Sequence, residues 1–471
     1  MQEPPGRPGA SSQERKADDD KDKAVETPAV HTVPSHKKHT SSPKTSALTS
    51  YTDSARRSSF IQYKDSVPEI DVDFGEIFRT AQEAIHAGLH PDLVTAGSSG
   101  SYFVKDMTGK FIGIFKPKDE EPFAPLNPKW PKFFQRIMCF CCFGRACLIP
   151  NSGYLSETGA SVIDQRLGLN IVPKTRVVKL ASPSFYYERT FCGCWSRPVD
   201  PTKLRPKEGS FQLFVHGYEA ADRVMARWDY DPSLLSPEER ARFLLLFQKM
   251  IVLDYIIRNT DRHYDNWLIR HVPGKELELA VIDNGLAFPV KHPEVISRLR
   301  QYPFKWQKIK FAEEPWNEEL RLSLLEKLTP SFVHEITKEI KTLFRHDLAV
   351  NRPLVFNQLR VLRGQLRNLR IALESRITPA EMARMEPILV KKRYKRGRAP
   401  STDAAPSDWS PYFKAKSAFT EAASCCCCSC CGRSGGSPPL PSTTNACSST
   451  PSPVINEQPL PSDSKREEAT Q

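Results

Sequence analysis

Leu253-Asp-Tyr-Ile-Ile-Arg-Asn-Thr-Asp-Arg-His-Tyr-Asp-Asn266, followed by Ile282-Asp-Asn-Gly-Leu-Ala287, decides how this chain is read. Asp261, Asn266 and Asp283 supply an acid, an amide and a second acid from two loops, each trailing an apolar run. Transfer of a phosphoryl group to a hydroxyl depends mainly on positioning and charge neutralisation, so its oxygen ligands must converge from separate loops. One carboxylate orients the attacking hydroxyl, and the other polar pair, Asn266 and Asp283, holds Mg²⁺. Either segment alone reads equally well as a polar turn. The order of the two, each behind its apolar run, favours chemistry.

Upstream, apolar positions recur at helical spacing over 238–257 and end in Met250-Ile-Val-Leu-Asp-Tyr-Ile-Ile257, apolar nearly all round. That predicts a buried helix delivering the chain rigidly to Asp261. Near the other end of the fold, Gly97-Ser-Ser-Gly-Ser101 reads as a turn, 102–104 and 111–115 as the strands of a hairpin, and Lys116 as the residue closing it. Such a turn is weak evidence for phosphate binding by itself; a lysine at a strand end about twenty residues on, where kinases place the contact to the α- and β-phosphates, strengthens it. Residues 153–167 read as a helix whose Glu157 is the acid chosen to pair with Lys116, Asp164 being the other candidate. Strands are expected over 172–180 and 209–215; the second is apolar enough to join two lobes, and the backbone of Gln212, Leu213, Phe214 and Val215 is placed to meet an adenine edge, although a plain core strand fits equally well. Leu359, Leu362, Leu366, Leu369 and Leu373 form a stripe expected to pack one amphipathic helix on the larger lobe, with a coiled coil as the alternative.

The 471 residues include 40 Pro and 22 Gly, concentrated towards the ends. This points to one two-lobed globular unit over 68–390, with the smaller lobe at about 68–210 and the larger at about 216–390. Residues 1–67 and 391–471 are expected to be disordered tails, too poor in aliphatic residues to offset chain entropy. No run of 18 or more apolar residues occurs and the start has no leader pattern, so neither secretion nor membrane spanning is expected. A net charge of +12 implies an anionic partner, nucleic acid or the cytoplasmic leaflet. The densest basic run, 391–398, fits lipid headgroups, RNA, an import receptor or simply a solvated tail.

Cys139, Cys141, Cys142 and Cys147 stand among Trp130, Phe133, Phe134, Phe140 and Phe143, interspersed with Lys129, Lys132, Arg136 and Arg145. The paired spacing a zinc site needs is missing, and aromatic rings with cations suit S-acylation at a membrane surface, against a buried cysteine cluster as the plainer reading. Cys425-Cys-Cys-Cys-Ser-Cys-Cys431 lies in a Ser/Pro-rich tail with no core to bury it, so acylation is favoured there as well, over metal binding or oxidation.

Taken together, Gly97-Ser-Ser-Gly-Ser-Tyr-Phe103, Phe115-Lys-Pro-Lys118, Leu126-Asn-Pro-Lys-Trp130, Gly153-Tyr-Leu-Ser-Glu157, Leu169-Asn-Ile-Val-Pro173, 209–215, the Asp261 segment and Ile282-Asp-Asn-Gly-Leu-Ala-Phe-Pro289 resemble type II phosphatidylinositol 4-kinases over roughly 68–375. The resemblance implies an α+β, two-lobed kinase-like fold with a small β-rich N-lobe and a mainly helical C-lobe. It also implies use of ATP and Mg²⁺ to phosphorylate the inositol 4-hydroxyl of phosphatidylinositol on the cytosolic face of Golgi, endosomal and plasma membranes. Peripheral, lipid-anchored attachment to an anionic surface is expected, and nucleic acid is not. By the same resemblance Ser98, Ser99, Gly100, Ser101 and Lys116 meet the phosphates, Gln212–Val215 the adenine and Asp283 the metal, while Asp261 is the catalytic-loop acid. Cys139, Cys141 and Cys142 fall on a palmitoylated motif, in which Met138 and Phe140 replace a Cys and a Pro. Phe304 and Trp306 lie in a segment that approaches the membrane. His263 stands where the family usually has Gly, giving Asp-Arg-His as in phosphatidylinositol 3-kinases, and is a candidate catalytic group. A protein kinase would show His-Arg-Asp, Asp-Phe-Gly and Ala-Pro-Glu, which this chain lacks. A catalytically silent scaffold would not need Lys116, Asp261, Asn266 and Asp283 together.

Overall fold

A computed structural model of the chain describes residues 72–128, 145–187, 204–295, 302–347, 349–392 and 413–420. Helix α1 (Val72–His86) comes first and buries Phe74, Phe78, Ala81 and Ile85, the i, i+4, i+7, i+11 stripe of an amphipathic helix. Strands β1 (Asp92–Leu93), β2 (Tyr102–Lys105) and β3 (Phe111–Pro117) follow, then helix α2 (Gly153–Leu167) and strands β4 (Thr175–Leu180) and β5 (Lys207–Leu213). The five strands form one antiparallel sheet in the order β1-β2-β3-β5-β4. Alternation along β2 sends Tyr102 and Val104 inward, where they meet Phe115, Val178, Phe185 and Phe211. Phe74 and Phe78 close this smaller core edge-on to Phe211, at 5.9 and 5.4 Å.

A larger core holds the remainder: β6 (Glu219–Ala220), α3 (Ala221–Tyr230), α4 (Pro237–Ile257), β7 (Trp267–Val272), β8 (Glu276–Val281), α5 (Glu318–Lys327), α6 (Pro330–Phe344), α7 (Arg352–Glu374) and the short α8 (Pro379–Met382). Two separate cores make two lobes, one mainly sheet and one mainly helix. Helix α2 touches β4 and β5 on one side and α4 and α6 on the other. Ser236 and Glu239 start α4 with a reciprocal capping box, and Pro237 occupies its first turn. From Met250 to Ile257 every side chain of α4 is buried, and each large aliphatic there stabilises by about 1.5–3 kcal/mol. The helix stops where Arg258 adopts a left-handed conformation (φ +47°), which turns the chain into the Asp261 loop. The leucine stripe of 359–373 is one buried face of the single helix α7.

Strands β9 (Ile388–Lys392) and β10 (Phe413–Ser417) pair antiparallel. Part of the stretch expected to be a tail from residue 391 onward is therefore folded: β10 finds its partner in β9, and Ala418 is buried against Val361 and Leu389. Gly364 makes room for this pair, since a Cβ there would lie 1.9 Å from the Ile388 carbonyl oxygen. Among the described residues no helix is long and apolar enough to cross a membrane.

Candidate active site

Antiparallel pairing of β7 with β8 assembles half of the site. The register sets Trp267 opposite Val281, so the residues just outside the hairpin, Asn266 and Ile282, are also joined, the Ile282 N–H donating to the Asn266 carbonyl at 3.0 Å. Asp283 follows immediately. Asn266 in turn donates its side-chain amide to the Asp261 carbonyl at 2.8 Å, which leaves its amide oxygen available. Asp261, Asn266 and Asp283, separated in sequence, thus share one edge of the cleft.

The other half comes from the smaller lobe. Lys116, near the end of β3, lies 2.5 Å from Glu157 of α2 and 3.1 Å from Asp283. Glu157 is buried and its second oxygen accepts the Asn284 N–H at 2.9 Å, so the expected lysine–acid pair is present and anchored at both ends. Burial pulls the Lys116 ammonium down, but Asp283 and Glu157 outweigh it and its pKa lies above the ordinary value. Lys116 in turn draws the Asp283 carboxyl below its usual range. Asp283 itself is exposed, and its backbone is left-handed (φ +50°).

Ser98, Ser99, Gly100 and Ser101 form the turn before β2, and its backbone is tied down from behind. The Gly100 N–H donates to the Glu120 carbonyl at 2.9 Å, and Asn127 donates to the Ser98 carbonyl at 3.0 Å. A Cβ on Gly100 would meet the Glu120 side chain at 2.6 Å, so only glycine lets the turn settle there. Glu120 is itself fully buried between Lys207 (2.8 Å) and the Tyr102 hydroxyl (2.5 Å). The Gly100 amide is therefore spent inward, not offered to a phosphate.

The expected adenine contacts need a similar correction. Gln212 is buried with its amide on the Thr175 hydroxyl at 3.0 Å, the Leu213 N–H donates to the Lys174 carbonyl, and the Phe214 N–H donates to the Ile112 carbonyl. Sheet and loop pairing consumes these donors. Val215 is the position of that run whose N–H no described residue accepts.

Asp261 is half-buried. His263 Nε2 lies 2.9 Å from its carboxylate, and Arg145 donates to the same oxygen. Arg145 also donates to the Thr260 hydroxyl at 2.9 Å and stacks 4.7 Å over the Tyr302 ring. Beneath the loop, Arg262 is buried and binds both oxygens of the buried Asp254, at 2.9–3.2 Å. It further donates to the carbonyls of Asn266 and Ile282, each at 2.6 Å, and to the Asn284 side chain at 2.5 Å. One guanidinium therefore fixes both loops. Sequence reading placed Arg145 among the cations of a membrane-facing stretch and gave Arg262 no role; Arg262 sat within the Asp261 motif, whereas no acid near Arg145 in sequence marked its contact.

Phe304 and Trp306, expected near a membrane, are core residues instead. Phe304 stacks between Tyr255 (5.6 Å) and Trp306 (4.8 Å) with the Arg258 guanidinium 4.1 Å away, and both rings are almost fully buried. Trp130, Phe133, Phe134, Cys139, Cys141, Cys142 and Cys425–Cys431 lie outside the described residues.

Asn266 and Asp283 provide hard oxygen donors on adjoining strand ends, which suits Mg²⁺ held jointly with nucleotide phosphates. Among the described residues no cluster of three or more His, Cys, Asp or Glu side chains stands ready to cage a metal alone.

A family model described as phosphatidylinositol 3- and 4-kinase matches residues 97–321. Phosphatidylinositol 4-kinase type 2-alpha of Danio rerio is 42% identical over 369 residues, covering 70% of this chain and 79% of that protein. The type 2-beta enzymes of Xenopus tropicalis and Danio rerio are 40% and 42% identical; each alignment covers 68% of this chain, and 72% and 70% of those proteins. The match begins at the Ser98–Ser101 turn and includes every residue of the cleft just described, and the chain belongs to the type 2 phosphatidylinositol 4-kinase family.

Proposed function

We propose that this chain uses ATP to phosphorylate the inositol 4-hydroxyl of phosphatidylinositol, giving phosphatidylinositol 4-phosphate at the cytosolic face of Golgi and endosomal membranes. The observation that carries this reading is the convergence on a single cleft of Lys116 from the smaller lobe and of Asp261, Asn266 and Asp283 from the larger. Lys116 already sits between two carboxyl groups and is placed to turn its ammonium to the α- and β-phosphates. Mg²⁺, when bound with the nucleotide, would be held by the Asn266 oxygen and the Asp283 carboxylate and would neutralise phosphate charge. Asp261 accepts the proton of the inositol hydroxyl as it attacks, while His263 and Arg145 fix the orientation of its carboxylate. Val215 offers its N–H to the adenine edge, and the hydroxyls of Ser98, Ser99 and Ser101 face the phosphates. Acylation of Cys139, Cys141 and Cys142 holds the enzyme on its bilayer.

Incubation of the purified full chain with phosphatidylinositol in mixed micelles, ATP and Mg²⁺, followed by positional analysis of the product, tests the reading. The expected product carries its new phosphate at the 4-position. Product at the 3-position would instead favour the chemistry suggested by Asp-Arg-His, and no lipid product would sink the assignment.

A further inference from the structure

Directly behind the turn of residues 98–101 lies a buried ion pair that the chemistry above leaves without a task. Glu120 ends the short helical turn Lys118–Glu120, just after Lys116 and β3, and Lys207 opens β5. Both side chains are almost sealed, 0% and 3% exposed. One Glu120 oxygen accepts the Lys207 ammonium at 2.8 Å and the Tyr186 N–H at 3.0 Å, and the other accepts the Tyr102 hydroxyl at 2.5 Å. The main-chain carbonyl of the same residue accepts the Gly100 N–H. Lys207 is held in turn by Asp119 at 3.0 Å and stands 5.0 Å from the centre of the Tyr187 ring.

Desolvating an ammonium and a carboxylate is costly, and apolar side chains of like volume often stabilise a core as well or better. What apolar packing does not supply is direction. Glu120 grips the chain at Gly100 and again at Tyr102, and Asn127 holds the Ser98 carbonyl. Gly100 is buried as a result, whereas Ser99 and Ser101 are partly exposed. Among the described residues none accepts the N–H of Ser99 or of Ser101. We infer that Glu120, steadied by Lys207 and Tyr102, is a positioning residue for the nucleotide: it turns the Gly100 amide inward and presents the Ser99 and Ser101 amides to the phosphates that Lys116 meets. Because Glu120 and Lys116 lie on one short run of chain, the placement of the turn relative to the lysine is set with it. The inference rests on the proposed use of ATP in this cleft, and it concerns grip on the phosphates, not on the base or the lipid.

Equilibrium binding of ATP and of adenosine to the full-length chain, with micellar kinase assays at varied ATP, tests it. In Tyr102→Phe and in Glu120→Gln, ATP affinity should fall and the KM for ATP rise roughly tenfold. Adenosine affinity and kcat should stay within about twofold of the parent, because the base and the reacting groups are untouched. Val104→Ala thins the same core without touching the turn; it should lower thermal stability and leave both affinities as they are. If Glu120→Gln misfolds around Lys207, Tyr102→Phe, which keeps the ion pair, should still show the selective loss. Unchanged ATP affinity in folded Tyr102→Phe, a parallel loss of ATP and adenosine, or the same selective loss in Val104→Ala overturns the inference and leaves the proposed function standing. A parent chain that binds no ATP overturns both.

Discussion

Two arginines each grip a carboxylate of the segment that carries Asp261, the proposed catalytic acid, and they do opposite work. Arg262 and Asp254 are almost sealed, their side chains 2% and 0% exposed, whereas Arg145 and Asp261 are 20% and 24% exposed. Desolvation makes the first pair costly to form and far more costly to break, because either partner left alone is a buried charge. Water screens the second and lets its members exchange partners. Arg262 is thus a fixed pin holding the carbonyls of Asn266 and Ile282 in register. Arg145 is a water-screened contact that orients the Asp261 carboxylate from the more open side of the loop.

Arg262→Ala breaks the contrast at its stronger end. It should cost about 3–5 kcal/mol in urea unfolding, with turnover lost as the two loops separate. Normal stability in that variant would mean the pin is not structural. Asp261→Asn should lower turnover about 10³-fold, with ATP affinity and the urea midpoint unchanged. Arg145→Gln should reduce kcat roughly tenfold with stability and the KM for ATP intact, and partial rescue by Arg145→Lys would mark a role in positioning the carboxylate. A stability loss matching that of Arg262→Ala would erase the distinction between the two pairs.

A pH-dependent effect concerns Glu121, a further buried carboxyl. Its carboxylate accepts the N–H groups of Gly153 (3.0 Å) and Tyr154 (2.8 Å) at the start of α2. Burial raises its pKa from 4.5 to about 7, and those two hydrogen bonds only partly oppose the rise. The folded state therefore holds this proton more tightly than the unfolded chain does. Its stabilising contribution is complete below about pH 4.5 and is lost as pH rises towards 7. Glu121→Gln should flatten the stability profile over that window by roughly 1–3 kcal/mol relative to the parent. Parallel profiles for the two proteins would refute the assignment.

Much of this arrangement was legible in the chain. Helical periodicity marked α2 and α4, alternation marked the β2–β3 hairpin, and the spacing of Asp261, Asn266 and Asp283 behind apolar runs marked the site, because local pattern governs those features. Lys116 and Glu157 were paired from their places in a strand and a helix. What escaped was set by tertiary contact. Arg145 meets Asp261 across 116 residues of sequence, and nothing local distinguishes it from the neighbouring cations. The spent donors of Gly100, Leu213 and Phe214 likewise depend on which strand or loop lies beside them. Phe304 and Trp306 were misassigned because an aromatic cluster looks alike whether it faces a membrane or stacks on Tyr255. Strand β10 was hidden by its polar composition; its order comes from the β9 ladder, not from an apolar face of its own.

The central claim is that Asn266 and Asp283 form, with Lys116, one site for a metal and a nucleotide. Electron paramagnetic resonance of Mn²⁺ in place of Mg²⁺ tests it without relying on turnover. The account predicts a protein-bound Mn²⁺ signal that requires ATP, survives in Glu121→Gln and is lost in Asp283→Asn. An undiminished signal in Asp283→Asn would contradict it.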